Sequence, residues 1–142
     1  MTAGRARLWA GLFAAAALFN FAIGIPLMVA RHWTLALAFR PEILEGDNLA
    51  PHLWSDFGYC VALIGVGYLI VAFDITRNRA LVWLGIFAKA YDVVILTWRF
   101  LIDIARPIVL VPAAIDAAFI LLFVWFLYAT RHDEKLLSDA AC

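Results

Sequence analysis

Charged side chains interrupt an otherwise apolar part of the sequence. The stretch GIFAKAYDVVILTWRF, residues 85–100, carries Lys89 and Asp92 near its middle. On a helix these two side chains can reach each other, since residues three apart lie on one face. At 100° per residue, a single line along this helix collects six positions within about 40°. They are Gly85, Lys89, Asp92, Leu96, Arg99 and Asp103. Because a charge at mid-bilayer costs about 2.5–3.5 kcal/mol on insertion scales, we expect this stripe to face the interior of a helix bundle.

Other apolar runs supply polar side chains at similar depth. Asn20 lies near the middle of the first run and Asp116 near the middle of the last, so both are expected at the level of Asp92. The run that holds Asp116 has no basic residue, so this carboxylate must be protonated or share the charge of Lys89 or Arg99. The sequence leaves open whether Lys89 pairs with Asp92 or with Asp116.

Asp56 and Tyr59 lie closer to the outer surface, on the second run. Arg99 is expected at about the level of Asp56. Together with the deeper groups, these side chains predict a polar track from the outer surface to the centre of the membrane.

Two carboxylates beside one ammonium can do acid–base chemistry. If Lys89 neutralises one of Asp92 and Asp116, the other can hold a proton, and the pair can then act as general acid and base. The same pair could carry a proton in a coupled transporter. We therefore predict that Asp92, Asp116 and Lys89 are catalytic. The predicted ligand-binding residues are Asn20, Asp56, Tyr59 and Arg99.

Each of these groups also has a purely structural explanation. Lys89 and Asp92 could form an ion pair that only stabilises the bundle. Asp56 would favour the positive end of its helix, and Asn20 would hydrogen-bond across helices as packing. Asp103 and Arg106 are expected to extend to the lipid headgroups.

Composition gives the class of protein that holds these residues. The 142 residues are 66% hydrophobic and 15% charged, with a mean hydropathy of +0.92. A soluble domain has roughly a quarter of its residues charged and about half apolar. The sequence therefore predicts that a lipid bilayer surrounds most of the protein. A net charge of zero argues against a nucleic-acid partner.

Four apolar runs reach the roughly 20 residues that a helix needs to cross the hydrocarbon core. They cover residues 8–30, 53–73, 80–101 and 108–130. The first run continues without a polar cleavage region, so it is expected to remain as a span. We predict an all-α integral membrane protein, a four-transmembrane-helix bundle that forms one membrane domain over residues 1–142. The extracytoplasmic loop, residues 31–52, is interpreted as an interfacial connector, with a cap over the bundle as the alternative.

Basic residues set the expected orientation. The side with both termini carries more of them than the opposite side, which favours both termini in the cytoplasm. The first group is Arg5, Arg7, Arg77, Arg79, Arg131 and Lys135; the second is Arg31, Arg40 and Arg106. The predicted location is a multi-pass position in the plasma membrane or a bacterial inner membrane.

Cofactor sites find little support. His32, His52 and His132 lie at or beyond the ends of the spans, so they cannot face each other across a haem. His32 and His52 share the outer side with Glu42, Glu45 and Asp47, but their spacing defines no metal site. Cys60 and Cys142 suggest neither a disulfide framework nor a zinc site. We predict no metal and no cofactor.

The leading functional hypothesis is an intramembrane polar cavity that binds a small apolar or lipid-like molecule. The protein would then be a binding protein or an acid–base enzyme such as an isomerase or cyclase. One alternative is an accessory subunit of a larger membrane complex. Another is a small proton-coupled transporter or channel, expected to be a homo-oligomer because four short helices enclose little room.

Overall fold

The computed structural model of the chain describes residues 3–46 and 48–131, and this part is helical. The four long helices are α1 (Ala3–Val29), α4 (Ala50–Phe73), α5 (Arg79–Leu101) and α6 (Leu110–Ala129); two short ones, α2 (Arg31–Ala38) and α3 (Pro41–Leu44), lie between α1 and α4. A 3₁₀ turn, Pro107–Val109, precedes α6. By length and composition, α1, α4, α5 and α6 can each cross a membrane. The prediction of four helices that are long and apolar enough to span a membrane is thus confirmed in the described residues. The residues Asp47, His132, Lys135 and Cys142, used above, lie outside the described part.

The four long helices alternate in direction, so the start of α1 and the end of α6 lie together. Arg79, at the start of α5, donates hydrogen bonds to the Thr130 hydroxyl (2.7 Å) and the Leu127 carbonyl (3.1 Å). The bond to Leu127 satisfies a carbonyl group that the last turn of a helix leaves unpaired. We call this end of the bundle, which also holds the α4–α5 connection, the terminal end. The opposite end, with α2, α3 and residues 102–106, is the loop end.

α1 packs on α4 with the two backbones in contact. A Cβ atom added to Gly24 would lie 2.8 Å from the Gly58 carbonyl oxygen, and one added to Gly58 would lie 2.8 Å from the Gly24 oxygen. Small residues allow such close approach of two apolar helices, where van der Waals packing holds them together. Further along, Gly65 faces Asn20 and Phe21 of α1.

Aromatic side chains fill the bundle towards the terminal end. The ring of Phe13 stacks on Phe123 at a centroid distance of 4.9 Å and meets Phe126 edge-on at 5.0 Å. Tyr68 of α4 meets Phe123 at 5.2 Å. All four side chains are buried. These side chains belong to the hydrophobic core of the bundle.

At the loop end, the segment after α2 is paired with the α5–α6 connection. Phe39 and Ala105 form an antiparallel bridge, with the Arg106 amide 2.8 Å from the Ala38 carbonyl oxygen. Asp103 has a positive φ of 63° and forms an ion pair with Arg40. The prediction that Asp103 belongs to the helical stripe is wrong, because α5 ends at Leu101 and the backbone then turns through a left-handed conformation.

α2 is also attached to α4. The Trp54 indole N–H donates to the Thr34 hydroxyl at 3.0 Å, and an Arg31 guanidinium nitrogen lies 3.3 Å from Nδ1 of His52. Its residues Thr34, Leu35 and Ala38 are buried. This helix therefore packs against the bundle and forms part of its wall. The sequence predicts an interfacial connector here.

Candidate intramembrane binding site

Lys89 lies at the centre of a polar network inside the bundle. Lys89 is 3% exposed. The ammonium group donates a hydrogen bond to Oδ1 of Asn20 at 3.1 Å and forms an ion pair with the carboxylate of Asp116. Asp116 and Asn20 are themselves 5% exposed. A buried charge requires such partners, because its desolvation would otherwise cost several kcal/mol, on the order of 3–5 when one partner is removed.

The network touches all four long helices. Asn20 lies on α1, Lys89 on α5 and Asp116 on α6. The side-chain amide of Asn20 also donates to the Val61 carbonyl on α4 at 3.0 Å. We refer to Asn20, the Val61 carbonyl, Lys89 and Asp116 as the Lys89 network. The network joins α1, α4, α5 and α6 at one level, so it specifies how these helices are arranged. It also pairs the charge of Lys89.

Aromatic rings surround the remaining side of the ammonium group. Nζ of Lys89 lies 5.1 Å from the ring centroid of Phe119, 5.3 Å from that of Phe19 and 5.6 Å from that of Tyr68. A cation within about 6 Å of such a ring is attracted to its face. The Tyr68 hydroxyl donates a hydrogen bond to the Gly85 carbonyl oxygen at 3.4 Å.

A cavity of ≈ 700 Å³ lies between the network and the loop end. Its polar side chains are few and include Asn20, Lys89, Asp92 and Asp116 at the end towards the aromatic core. The rest of the wall is largely apolar and includes Phe19, Ile23, Trp33, Leu37, Trp54, Phe57, Tyr91, Ile108 and Val111. Trp33, Tyr91 and Val111 are exposed on the outside of the bundle as well, so the cavity is accessible from there.

Asp92 lines the cavity without a partner. In the described part of the chain its carboxylate makes no hydrogen bond and no ion pair. Of the two pairings that the sequence allowed for Lys89, the structure has the one across to α6. The carboxylate on the same helix as Lys89 is left facing the cavity.

Three predicted ligand residues lie elsewhere. Asp56 and Tyr59 are exposed on α4 and are absent from the cavity wall, so the predicted polar track is not formed. Arg99 lines a second cavity, of ≈ 390 Å³, with its guanidinium carbon 5.7 Å from the Phe39 ring centroid. Trp54 belongs to the walls of both cavities.

Sequence reasoning missed the aromatic half of the site. Phe19, Tyr68 and Phe119 face the ammonium group, but an aromatic residue in an apolar span resembles any other core residue. One signal was available at Gly85, which lies on the same stripe as Lys89. A Cβ atom there would lie 2.7 Å from the Tyr68 hydroxyl oxygen.

Metal-ligating side chains do not cluster in the described residues: no group of three or more His, Cys, Asp or Glu is close enough to hold an ion. Asp47, one of the side chains considered with His32 and His52, lies outside that part.

No protein-family model matches the chain, and neither a curated protein nor a solved structure matches it. The case for a function therefore depends on the geometry of the cavity and its polar end.

Proposed function

We propose that this protein binds a small, largely apolar molecule within the membrane, with a polar group of the ligand directed to the Lys89 network and Asp92. The observation that supports this most is the cavity of ≈ 700 Å³ with apolar walls and a polar end. Small-molecule sites typically have volumes of about 300–1,000 Å³, apolar walls and a few convergent polar groups.

The proposed arrangement has both termini in the cytoplasm of a plasma or bacterial inner membrane. The terminal end carries Arg5, Arg7, Arg77, Arg79 and Arg131, and the loop end carries Arg31, Arg40 and Arg106. The excess of basic residues supports a cytoplasmic terminal end. The cavity would then be reached from the outer half of the membrane.

The cost of the polar groups supports a functional site. Apolar residues of similar volume often stabilise a protein as well as a buried ion pair does. Ionisable groups within membrane spans commonly mark a binding site or a proton pathway. Here a third ionisable group, Asp92, is present beyond the pair of Lys89 and Asp116.

The same geometry assigns separate roles to the two carboxylates if the protein is an enzyme. Asp116 is held by Lys89, so it would position the ammonium group and keep its charge balanced. Asp92 would be the group that exchanges a proton with the ligand, since a general base must reach the reacting atom without first breaking another bond. An isomerase or cyclase is the reaction class that this arrangement would serve.

The test is to purify the protein from its native membrane and identify released small molecules by mass spectrometry. Ala88 lines the cavity, so the ring that Ala88→Phe introduces there should obstruct the site and lower the amount of bound molecule. Ala118 is exposed on α6 outside the cavity wall, and Ala118→Phe is the matched control. Equal occupancy in the two variants would contradict the proposal. Release of the same molecule only when larger subunits co-purify would favour an accessory subunit instead.

A further inference from the structure

The cavity has one more acidic group than basic groups. Among the described residues, its wall contains the acidic side chains Asp92 and Asp116 and the basic side chain Lys89. Lys89 and Asp116 form an ion pair, in which the two opposite charges balance. Asp92 is therefore the group that decides the charge of the cavity.

A carboxyl group in apolar surroundings is either protonated or ionised with a cation beside it. Asp92 makes no hydrogen bond and no ion pair within the described chain. A ligand can supply a cation in direct contact with it. The large apolar wall next to Asp92 does not suit a bare metal ion, which requires several oxygen ligands. An organic cation suits it, because its charge can meet the carboxylate while its hydrocarbon part contacts the wall.

Lys89 shows how this bundle accommodates an ammonium group. Its Nζ contacts a carboxylate, an amide oxygen and three aromatic rings. The cavity offers two of these kinds of group to a second ammonium: the carboxylate of Asp92 and the aromatic rings of Trp54, Phe57 and Tyr91, all in its wall. Aromatic faces attract cations, most strongly where water is excluded.

From this placement we propose that the ligand is an amphiphilic amine, whose protonated nitrogen pairs with Asp92 while its hydrocarbon part occupies the apolar cavity. This inference rests on the proposed function and names the chemical class of its ligand. A neutral alcohol of the same length would fill the same volume but leave the carboxylate unpaired. A carboxylate ligand would place a second negative charge beside Asp92.

The experiment compares dodecylamine, dodecanol and dodecanoate, which share one hydrocarbon chain. Binding of each labelled compound to the protein in nanodiscs is measured by equilibrium dialysis, with empty nanodiscs subtracted to remove partitioning into lipid. We expect dodecylamine to bind about ten- to a hundred-fold more tightly than dodecanol, the range typical of a hydrogen bond to a charged group.

Variants assign the preference to Asp92. Asp92→Asn should lower dodecylamine affinity to that of dodecanol in the same variant, whereas Asp92→Glu should retain the preference. Glu42→Gln removes a carboxylate from an exposed position on α3 and is the control for net charge. Parent protein without an amine preference, or a preference that persists in Asp92→Asn, would overturn the inference.

Ala88→Phe separates this inference from the proposed function. If it abolishes binding of all three compounds while the parent shows no amine preference, the cavity binds ligands but the assignment to amines is wrong. If Ala88→Phe binds all three as the parent does, the cavity is not the site and both proposals fail.

Discussion

Lys89 of α5 forms its ion pair with Asp116 of α6 and not with Asp92, which lies three residues along its own helix. The three ionisable side chains therefore have different roles. One carboxylate stabilises the arrangement of the helices, and the other faces a cavity without a partner.

The ion pair should be essential to stability while Asp92 should not. Lys89→Met would leave the buried carboxylate of Asp116 without its cation, and we expect a loss of about 3–5 kcal/mol in the free energy of unfolding. Asp92→Asn removes no hydrogen bond and no ion pair within the described chain, so its unfolding should match the parent. Thermal and denaturant unfolding in mild detergent would measure both.

A second substitution distinguishes loss of a contact from an uncompensated charge. The double variant Lys89→Met with Asp116→Leu removes both charges of the pair, so it should recover most of the lost stability. A double variant as unstable as Lys89→Met alone would mean that the pair itself, and not the orphaned carboxylate, accounts for the loss.

Gly85 should tolerate no side chain. A Cβ atom there would lie 2.7 Å from the Tyr68 hydroxyl oxygen, so Gly85→Ala should push Tyr68 away from Lys89 and destabilise the protein by about 1–3 kcal/mol. Gly67 is the matched control on α4, since an added Cβ atom meets nothing within 4 Å. Gly67→Ala should be neutral or stabilise by up to about 1 kcal/mol. Equal unfolding temperatures for both variants would contradict the close contact of Gly85 with Tyr68.

The attachment of α2 to α4 should depend on one hydroxyl. Thr34→Val removes the acceptor of the Trp54 indole N–H, and leaving that donor unpaired should cost about 1–3 kcal/mol. Thr34→Ser keeps the hydroxyl and should behave as the parent does. Hydrogen exchange of α2 measures the effect locally, and faster exchange in Thr34→Val alone is the expected result. Equal exchange in both variants would mean that other contacts hold α2.

The turn between α4 and α5 should lose stability at acid pH. The Thr76 hydroxyl donates to Oδ1 of Asp74 at 2.8 Å, and with the Arg77 and Thr76 amides it holds the pKa of Asp74 below its usual value. Because the folded pKa is lowered, the turn is stabilised above the unfolded pKa, and this contribution is lost as the pH falls through the folded one. Carboxyl titration by NMR should show the pKa of Asp74 rise in Thr76→Val. An unchanged pKa would rule out the hydroxyl as its main cause.

Much of the fold follows from composition and periodicity. Hydropathy predicts four helices of spanning length because crossing a bilayer requires a long apolar segment, and the structure has four. The 3.6-residue period also predicts that Lys89 faces inward, as it does. These predictions succeed because they concern one helix at a time.

Features that depend on two helices could not be read from the sequence. Depth along a span follows from residue counts, so Asn20 and Asp116 are expected at the level of Asp92. In the structure both contact Lys89 in one network. Rotation of a helix about its axis does not follow from these counts, and Asp56 and Tyr59 lie at the surface. The choice between Asp92 and Asp116 as the partner of Lys89 depends on the same unknown rotation.

Tertiary contacts also determine the structure of the loop end. The ion pair of Arg40 with Asp103 and the bridge of Phe39 with Ala105 join segments distant in sequence. No local pattern predicts them, and with them α2 becomes part of the cavity wall.

The most direct test of a ligand-binding cavity is a crystal structure of the protein purified from its native membrane. We predict electron density for a non-protein molecule between α2 and the Lys89 network, with a polar atom within hydrogen-bonding distance of Asp92. Density for ordered water alone, or for protein side chains that close the cavity, would contradict the proposed function.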